Sequence, residues 1–184
     1  MQFKDKPYHF IPATIPEAAQ TIIRDVAYGP DSHQHLDIYL PTNQQASPVI
    51  LDLYGGGLLR GQKSSFKLNP SLRFLADGFA VVSMAYRLNT PRHNQFPAQL
   101  ADISAALHFL AQQASAYHLD MTHITLIGES SGAQLAVLAA ASFSAGMPLG
   151  PLSPTDLATL PPIQRVIGLY GLSLIHISEP TRPY

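Results

Sequence analysis

Short apolar runs alternate with longer amphipathic stretches along most of the chain. The apolar runs VILDLY, FAVVSMA, ITLI and RVIGLY predict buried strands at positions 49–54, 79–85, 124–127 and 165–170. Apolar side chains recur at helical spacing in the segments between them, at 71–76, 97–117 and 131–141. Alternation of this kind is typical of parallel strands joined by helical crossovers, with helices on both faces of a twisted sheet.

Two further strands precede this pattern. Residues 22–28 and 36–40 are apolar, and a polar turn after Gly29-Pro30 separates them. They predict an antiparallel pair at the sheet edge. Residues 146–162 hold five prolines and two glycines and predict a loop or cap segment. The fold class is therefore α/β with a mostly parallel sheet, and residues 1–171 are predicted to belong to a single domain.

Composition narrows the classes of function. Of the 184 residues, 46% are hydrophobic and 12% charged, the formal net charge is −1, and cysteine is absent. The absence of cysteine excludes disulfides and thiolate chemistry. The sequence has no basic patch, so we expect no nucleic-acid partner. It has no apolar stretch of about 20 residues, so we expect no membrane span. Because no histidine spacing such as H-E-x-x-H occurs, we expect no metal, and no cofactor is implied. Because the N-terminus has no apolar leader, we expect a cytoplasmic protein.

The strongest chemical motif is G-x-S-x-G at residues 128–132. It lies between the strand ITLI and an alanine-rich helix. A tight turn from strand to helix strains its central residue and points that side chain outward, while the helix N-terminus favours a developing anion. This context predicts that Ser130 is a nucleophile.

Three glycines, Gly55 to Gly57, directly follow the predicted strand at 49–54. Consecutive glycines let the backbone aim its N–H groups at a ligand. One such run alone indicates a flexible turn. Two motifs in this order, each directly after a strand, favour a hole that stabilises an oxyanion.

Several segments resemble the acetyl-esterase and hormone-sensitive-lipase-like branch of the α/β hydrolases, which includes feruloyl-esterase-like bacterial enzymes. The matching segments are LDIYLP, DLYGGG, AYRL, FPAQLADISAALHFL and LIGESSGA, at 36–41, 52–57, 85–88, 96–110 and 126–133. The resemblance implies an α/β-hydrolase fold, and cleavage of a small carboxylic ester through an acyl-Ser130 intermediate. It also implies an oxyanion hole formed by the N–H groups of Gly56, Gly57 and Ser131. Tyr54 stands where the family often has histidine.

A serine nucleophile in this fold is followed in the chain by an acid and then a histidine. After Ser130 only Asp156, Glu179 and His176 are available. All eleven residues at 172–182, LSLIHISEPTR, match one translated reading frame of a transposase adapter used to prepare DNA libraries. We therefore expect residues 172–184 to be non-biological. The triad acid and histidine would then be absent, and the chain as written inactive.

Two alternatives remain. A serine peptidase of the prolyl-oligopeptidase type shares the G-x-S-x-G motif, but only about 20 residues precede the first strand here. A non-catalytic protein could keep the fold and bind a ligand, although the intact Ser130 disfavours it. The oligomeric state and the ester substrate stay open.

Other polar residues are predicted to be structural. Arg87 and Asp102 are expected to form an ion pair near the sheet end, and Glu129 to support the turn at Ser130. Six of the histidines that precede Ser130 are expected at the surface or in structural roles: His33, His35, His93, His108, His118 and His123.

Overall fold

The computed structural model describes residues 9–42, 45–149 and 151–171. Its strands are β1 (Thr21–Ala27), β2 (His35–Leu40), β3 (Ser47–Leu53), β4 (Ala80–Met84), β5 (Leu119–Glu129) and β6 (Ile163–Leu169). Its α-helices are α1 (Asn69–Leu72), α2 (Ala98–Gln112), α3 (Ser131–Ser144) and α4 (Pro154–Ala158). Two 3₁₀ turns, Phe66–Leu68 and Arg73–Asp77, flank α1. The predicted tail at 172–184 lies outside the described residues.

The strands form one sheet in the order β1-β2-β4-β3-β5-β6. The pairs β1/β2 and β2/β4 are antiparallel, whereas β4, β3, β5 and β6 run parallel to one another. The predicted antiparallel pair at the edge is therefore confirmed, as is the mostly parallel sheet. Because β3 lies beside β5, the loops that follow these two strands emerge next to each other at the carboxyl edge of the sheet.

Helices cover both faces of the sheet, as the alternating pattern predicts. On one face α2 and α3 bury Leu100, Ile103 and Leu135 against strand residues such as Leu126. On the opposite face the segment around α1 buries three leucines against β3, β4 and β5, namely Leu68, Leu72 and Leu75. Each strand between these two layers is apolar on both sides, which explains why it reads as a continuous hydrophobic run.

Two predicted boundaries are wrong by several residues. The helix predicted over 97–117 ends at Gln112 and gives way to turns. The strand predicted over 124–127 begins earlier, at Leu119, and its first residues pair with Ser47 and Pro48 across a register shift. Polar residues at 120, 122 and 123 hide this strand extension from an apolar pattern. Backbone pairing with β3 stabilises it nonetheless.

The predicted loop at 146–162 also contains a helix, α4. Ser153 caps it, because its side chain accepts from the backbone N–H of Asp156 while the Asp156 carboxylate accepts from the Ser153 N–H. Pro154 occupies the first turn, where its missing N–H is not needed. The many prolines of the segment masked this local capping signal.

The predicted ion pair between Arg87 and Asp102 is confirmed. Arg87 Nη2 lies 2.6 Å from Asp102 Oδ1, and the Asp102 side chain is fully buried. The Asp102 carboxylate also accepts from the Arg87 backbone N–H and from Gln34 Nε2, both at 2.8 Å. The hydrogen bond to Asp102 raises the pKa of Arg87 above its ordinary value. The pair therefore ties the loop after β4 to helix α2.

The same substitution, Val→Ala, at a buried and at an exposed position tests whether β4 lies in the core. Val82 is fully buried in β4, whereas Val137 on α3 is 53% exposed. We expect Val82→Ala to lower the free energy of unfolding by about 2 kcal/mol, because it removes buried methyl groups and leaves a cavity. Val137→Ala should change it by less than about 0.5 kcal/mol. Urea unfolding of both variants measures the difference, and equal midpoints would contradict the placement of β4 in the core.

Candidate active site

Ser130 lies at the turn between β5 and α3. It follows Glu129, the last residue of β5, and directly precedes Ser131, the first residue of α3. Its backbone has φ 52° and ψ −117°, a conformation that costs a non-glycine residue roughly 1–3 kcal/mol. Its N–H donates to the carbonyl of Leu169 in β6 at 2.8 Å, which holds the turn against the sheet. The predicted strained turn is therefore present, and the Ser130 side chain is half-buried at its apex.

Gly128 and Gly132 allow strand and helix to meet at this turn. A Cβ atom on Gly128 would lie 2.2 Å from the carbonyl oxygen of Gly132. A Cβ atom on Gly132 would lie 2.1 Å from the carbonyl oxygen of Leu53, the last residue of β3. Both obstacles are backbone atoms, which no side-chain rotation can move. The two glycines of the motif are therefore required by packing, as the sequence predicts.

The glycine turn after β3 packs directly against Ser130. A Cβ atom on Gly55 would lie 3.0 Å from the Cβ of Ser130 and 2.5 Å from the carbonyl oxygen of Glu129. Gly56 and Gly57 have φ values of 148° and 66°, which side chains rarely allow. The two motifs found in the sequence are thus neighbours in space.

The N–H groups of this glycine turn converge on one atom. Gly56 N and Gly57 N donate to the Ser131 hydroxyl oxygen at 3.1 and 2.9 Å. The Ser131 residue is only 4% exposed. The structure therefore brings together all three residues predicted for the oxyanion hole. The contact between them is made by the Ser131 hydroxyl. The sequence analysis missed this contact, because it considered only the backbone N–H of Ser131.

Two tyrosines hold the beginning of the glycine turn. The rings of Tyr54 and Tyr86 stack with centroids 4.4 Å apart. The Tyr86 hydroxyl donates to the Tyr54 carbonyl at 2.6 Å, and the Tyr54 hydroxyl donates to the Tyr86 carbonyl at 3.4 Å. Burial raises the pKa of Tyr86 well above its ordinary value, and its side chain is also hydrogen-bonded to Ser131. Tyr86 therefore stays a neutral donor at physiological pH.

A buried carboxyl group lies behind the glycine turn, on the face covered by α1. Asp52, the next-to-last residue of β3, accepts a hydrogen bond from the Ser71 hydroxyl. Burial raises the pKa of Asp52 to about 7, the Ser71 hydrogen bond opposes the shift, and the charge of Glu129 adds to it. Glu129 in turn pairs with Lys67 at 2.9 Å, which ties the turn at Ser130 to the segment before α1. An acidic residue inside the apolar run VILDLY is the sequence signal that could have pointed to Asp52.

Among the described residues, no histidine is hydrogen-bonded to Ser130. The closest arrangement to an acid–histidine pair is His123 Nδ1 with Asp120 Oδ2 at 2.7 Å. Both residues lie at the beginning of β5. At about 3.3 Å per residue, His123 is roughly 23 Å and Asp120 roughly 33 Å from Ser130 along the strand. The pair is exposed and structural, as predicted for His123.

Asp156 has a structural role as well. Its carboxylate accepts from the N–H and the hydroxyl of Ser153 at 2.8 and 2.7 Å, which caps α4. His108 Nε2 lies 3.2 Å from its carbonyl oxygen. His176, the other member of the triad order considered in the sequence, lies outside the described residues. Within the described ranges, no three acidic or histidine side chains are placed to hold a metal ion.

Comparison with known protein families shows which family the chain belongs to. The family described as BD-FAE matches residues 36–180, which is more than half of the chain. The chain belongs to the BD-FAE family of α/β-hydrolase esterases. In the part of this BD-FAE chain that the structure describes, no helix is both long and apolar enough to cross a membrane.

Three relatives illustrate this membership. A probable isoprenylcysteine α-carbonyl methylesterase of Oryza sativa subsp. japonica is 30% identical over 122 residues, which are 66% of this chain and 29% of that protein. A truncated carbohydrate esterase from gut microbiota superposes with a TM-score of 0.69 at 26% identity, covering 85% of this chain and 59% of that one. Esterase B from Lactobacillus rhamnosis, inhibited by a tributyrin phosphonate, gives 0.63 at 25% identity, covering 85% and 48%. This BD-FAE chain thus spans less than a third of the curated methylesterase.

A glycine substitution tests the contact between α3 and β3. We expect Gly132→Ala to lower the free energy of unfolding by about 3 kcal/mol or to prevent folding, because the new methyl group meets backbone atoms. Gly168→Ala is the matched control, since its Cβ would lie 3.4 Å from the Ala133 Cβ and at no backbone atom. Thermal unfolding of the two variants provides the comparison. Equal melting temperatures would show that the strand and helix do not approach this closely.

The raised pKa of Asp52 predicts a pH-dependent stability. Between the ordinary pKa of 3.8 and the folded value of about 7, the unfolded chain releases a proton that the folded chain keeps. The contribution of Asp52 to stability is therefore complete below pH 4 and falls by a few kcal/mol as pH rises to about 7. Asp52→Asn should remove this fall. The melting temperature of the variant minus that of the wild type should increase from pH 4 to 7.5 and then level off. A constant difference would show that Asp52 titrates normally.

Proposed function

We propose that residues 1–171 form the N-terminal part of a single-domain serine carboxylesterase in which Ser130 is the nucleophile. One observation carries the proposal: Ser130 sits on a strained turn and packs against a glycine turn whose two N–H groups converge on the hydroxyl of the next residue, Ser131. Strain of this kind is retained where it serves a site, and convergent N–H donors are what acyl transfer needs.

The chemistry follows from these groups. The Ser130 hydroxyl oxygen attacks the ester carbonyl carbon, and its proton passes to a base. The carbonyl oxygen becomes an anion that the N–H groups of Gly56, Gly57 and Ser131 stabilise. The intermediate collapses to an acyl-Ser130 ester, and the alcohol leaves with the proton. A water molecule then attacks the acyl-Ser130 ester through the same steps and releases the carboxylic acid and free Ser130.

The base and its orienting acid are proposed to lie outside residues 1–171. Among the described residues no histidine meets Ser130, and Asp156 is occupied in capping α4. Sequencing the source DNA across the codons for Gly171 and Leu172 tests this part of the proposal. We expect the sequence to diverge from the adapter-like tail and to encode a later acid and histidine. A genomic sequence that encodes LSLIHISEPTR would contradict it and make Asp156 with His176 the pair to test.

Small carboxylic esters are the proposed substrates. The support comes from the named relatives, which include a methylesterase, a carbohydrate esterase and an esterase inhibited by a tributyrin phosphonate. The proposed mechanism uses no cofactor. The cytoplasmic location stays a prediction.

Hydrolysis of p-nitrophenyl acetate and butyrate by the product of the complete gene tests the function. We expect Ser130→Ala to lower kcat by about 10⁴-fold or more, since loss of a serine nucleophile removes the covalent route. Ser144→Ala, at the exposed end of the same helix, is the matched control and should keep wild-type activity. A fluorophosphonate probe should label the Ser130 peptide in the wild type and in Ser144→Ala, and should leave Ser130→Ala unlabelled.

Other outcomes separate the alternatives. Cleavage of peptide substrates without ester hydrolysis would favour a serine peptidase. Neither hydrolysis nor labelling of Ser130 would favour a non-catalytic binder and would overturn the proposal.

A further inference from the structure

The acceptor position between the two glycine N–H groups is already filled. Gly56 N and Gly57 N lie 3.1 and 2.9 Å from the Ser131 hydroxyl oxygen, each with hydrogen-bonding geometry. Effective oxyanion donors lie about 2.7–3.1 Å from the oxygen that they stabilise. An oxyanion bound by the same two N–H groups would therefore need the space that the Ser131 hydroxyl oxygen occupies.

The glycine turn has anchors besides this hydroxyl. On one side, Tyr54 is stacked on Tyr86, and the Tyr86 hydroxyl donates to the Tyr54 carbonyl at 2.6 Å. On the other side, the Leu58 carbonyl accepts from the Asn89 N–H at 2.7 Å. Tyr86 is also hydrogen-bonded to Ser131, but its bond to the Tyr54 carbonyl and the Leu58 contact are made by other atoms, so the direction of the N–H groups does not rest on Ser131 alone. The hydroxyl satisfies two buried donors, which would otherwise lower stability.

We propose that the Ser131 hydroxyl is a resident acceptor of the oxyanion hole that has to turn away about its χ1 bond when the oxyanion forms. This inference rests on the proposed esterase function. The negatively charged oxygen is the stronger acceptor, so the exchange of partners is favourable. The stabilisation gained is nevertheless smaller than it would be if the donors were not already paired. Ser131 therefore increases the stability of the free protein and reduces its rate.

Ser131→Ala tests the inference because stability and activity should change in opposite directions. In the product of the complete gene, we expect the melting temperature to fall by a few degrees while kcat for p-nitrophenyl butyrate rises about 3- to 10-fold, with KM little changed. A butyl boronic acid, which forms a tetrahedral adduct with a serine nucleophile, should bind more tightly by a similar factor. A purely structural serine would lower the melting temperature without improving either value.

Ser142→Ala is the matched control. Ser142 lies on the same helix, is 6% exposed, and its hydroxyl donates to the Met147 carbonyl. We expect this variant to lose stability without any gain in kcat or boronate affinity. Ser131→Thr keeps the hydroxyl and restricts its rotation, so its kcat should not exceed the wild-type value.

The outcomes are distinct. An active wild type whose activity is lost in Ser130→Ala, but whose kcat is unchanged or lowered in Ser131→Ala, overturns this inference and leaves the proposed function intact. Should Ser131→Ala fail to fold, a kcat above the wild-type value in Ser131→Thr overturns it. A wild type that neither hydrolyses esters nor is labelled at Ser130 overturns both proposals.

Discussion

The close approach of α3 to the carboxyl ends of β3 and β5 is the constraint on which the rest of the site depends. Gly132 sits so near the carbonyl of Leu53 that no side chain fits between them. This contact forces the chain to reverse within one residue, so Ser130 takes a positive φ and its side chain leaves the sheet edge. The same contact brings the glycine turn after β3 against Ser130. Two motifs 70 residues apart in sequence thereby become one site.

Polar groups behind the site are buried or half-buried and have partners of their own, and they hold each loop in place. Tyr54 and Tyr86 exchange hydrogen bonds at the beginning of the glycine turn. Asp102 anchors the loop after β4, and Glu129 is paired with Lys67. A buried polar network that is satisfied makes its surroundings rigid. Donors that must meet a transient charge are most effective when such a network fixes them beforehand.

The fold could be predicted largely from sequence. The continuous apolar runs at 49–54 and 79–85 require burial on both faces, and the two glycine motifs that follow strands mark where the chain leaves the sheet. The beginning of β5 at Leu119 escaped this reasoning, because backbone pairing with β3 stabilises a polar strand segment that has no apolar pattern. Helix α4 was missed because its capping interaction is local and the surrounding prolines dominate the composition.

The sequence by itself determined the α/β class, the candidate nucleophile Ser130 and the glycines beside it, since each follows from hydrophobic periodicity or from a short motif whose residues are adjacent in the chain. Only the tertiary structure decided that the Ser131 hydroxyl meets the Gly56 and Gly57 N–H groups and that Asp52 is buried near Glu129. These contacts join side chains and backbone from different strands and helices. Their distances depend on how the sheet and helices pack, and no local pattern in the chain encodes that packing.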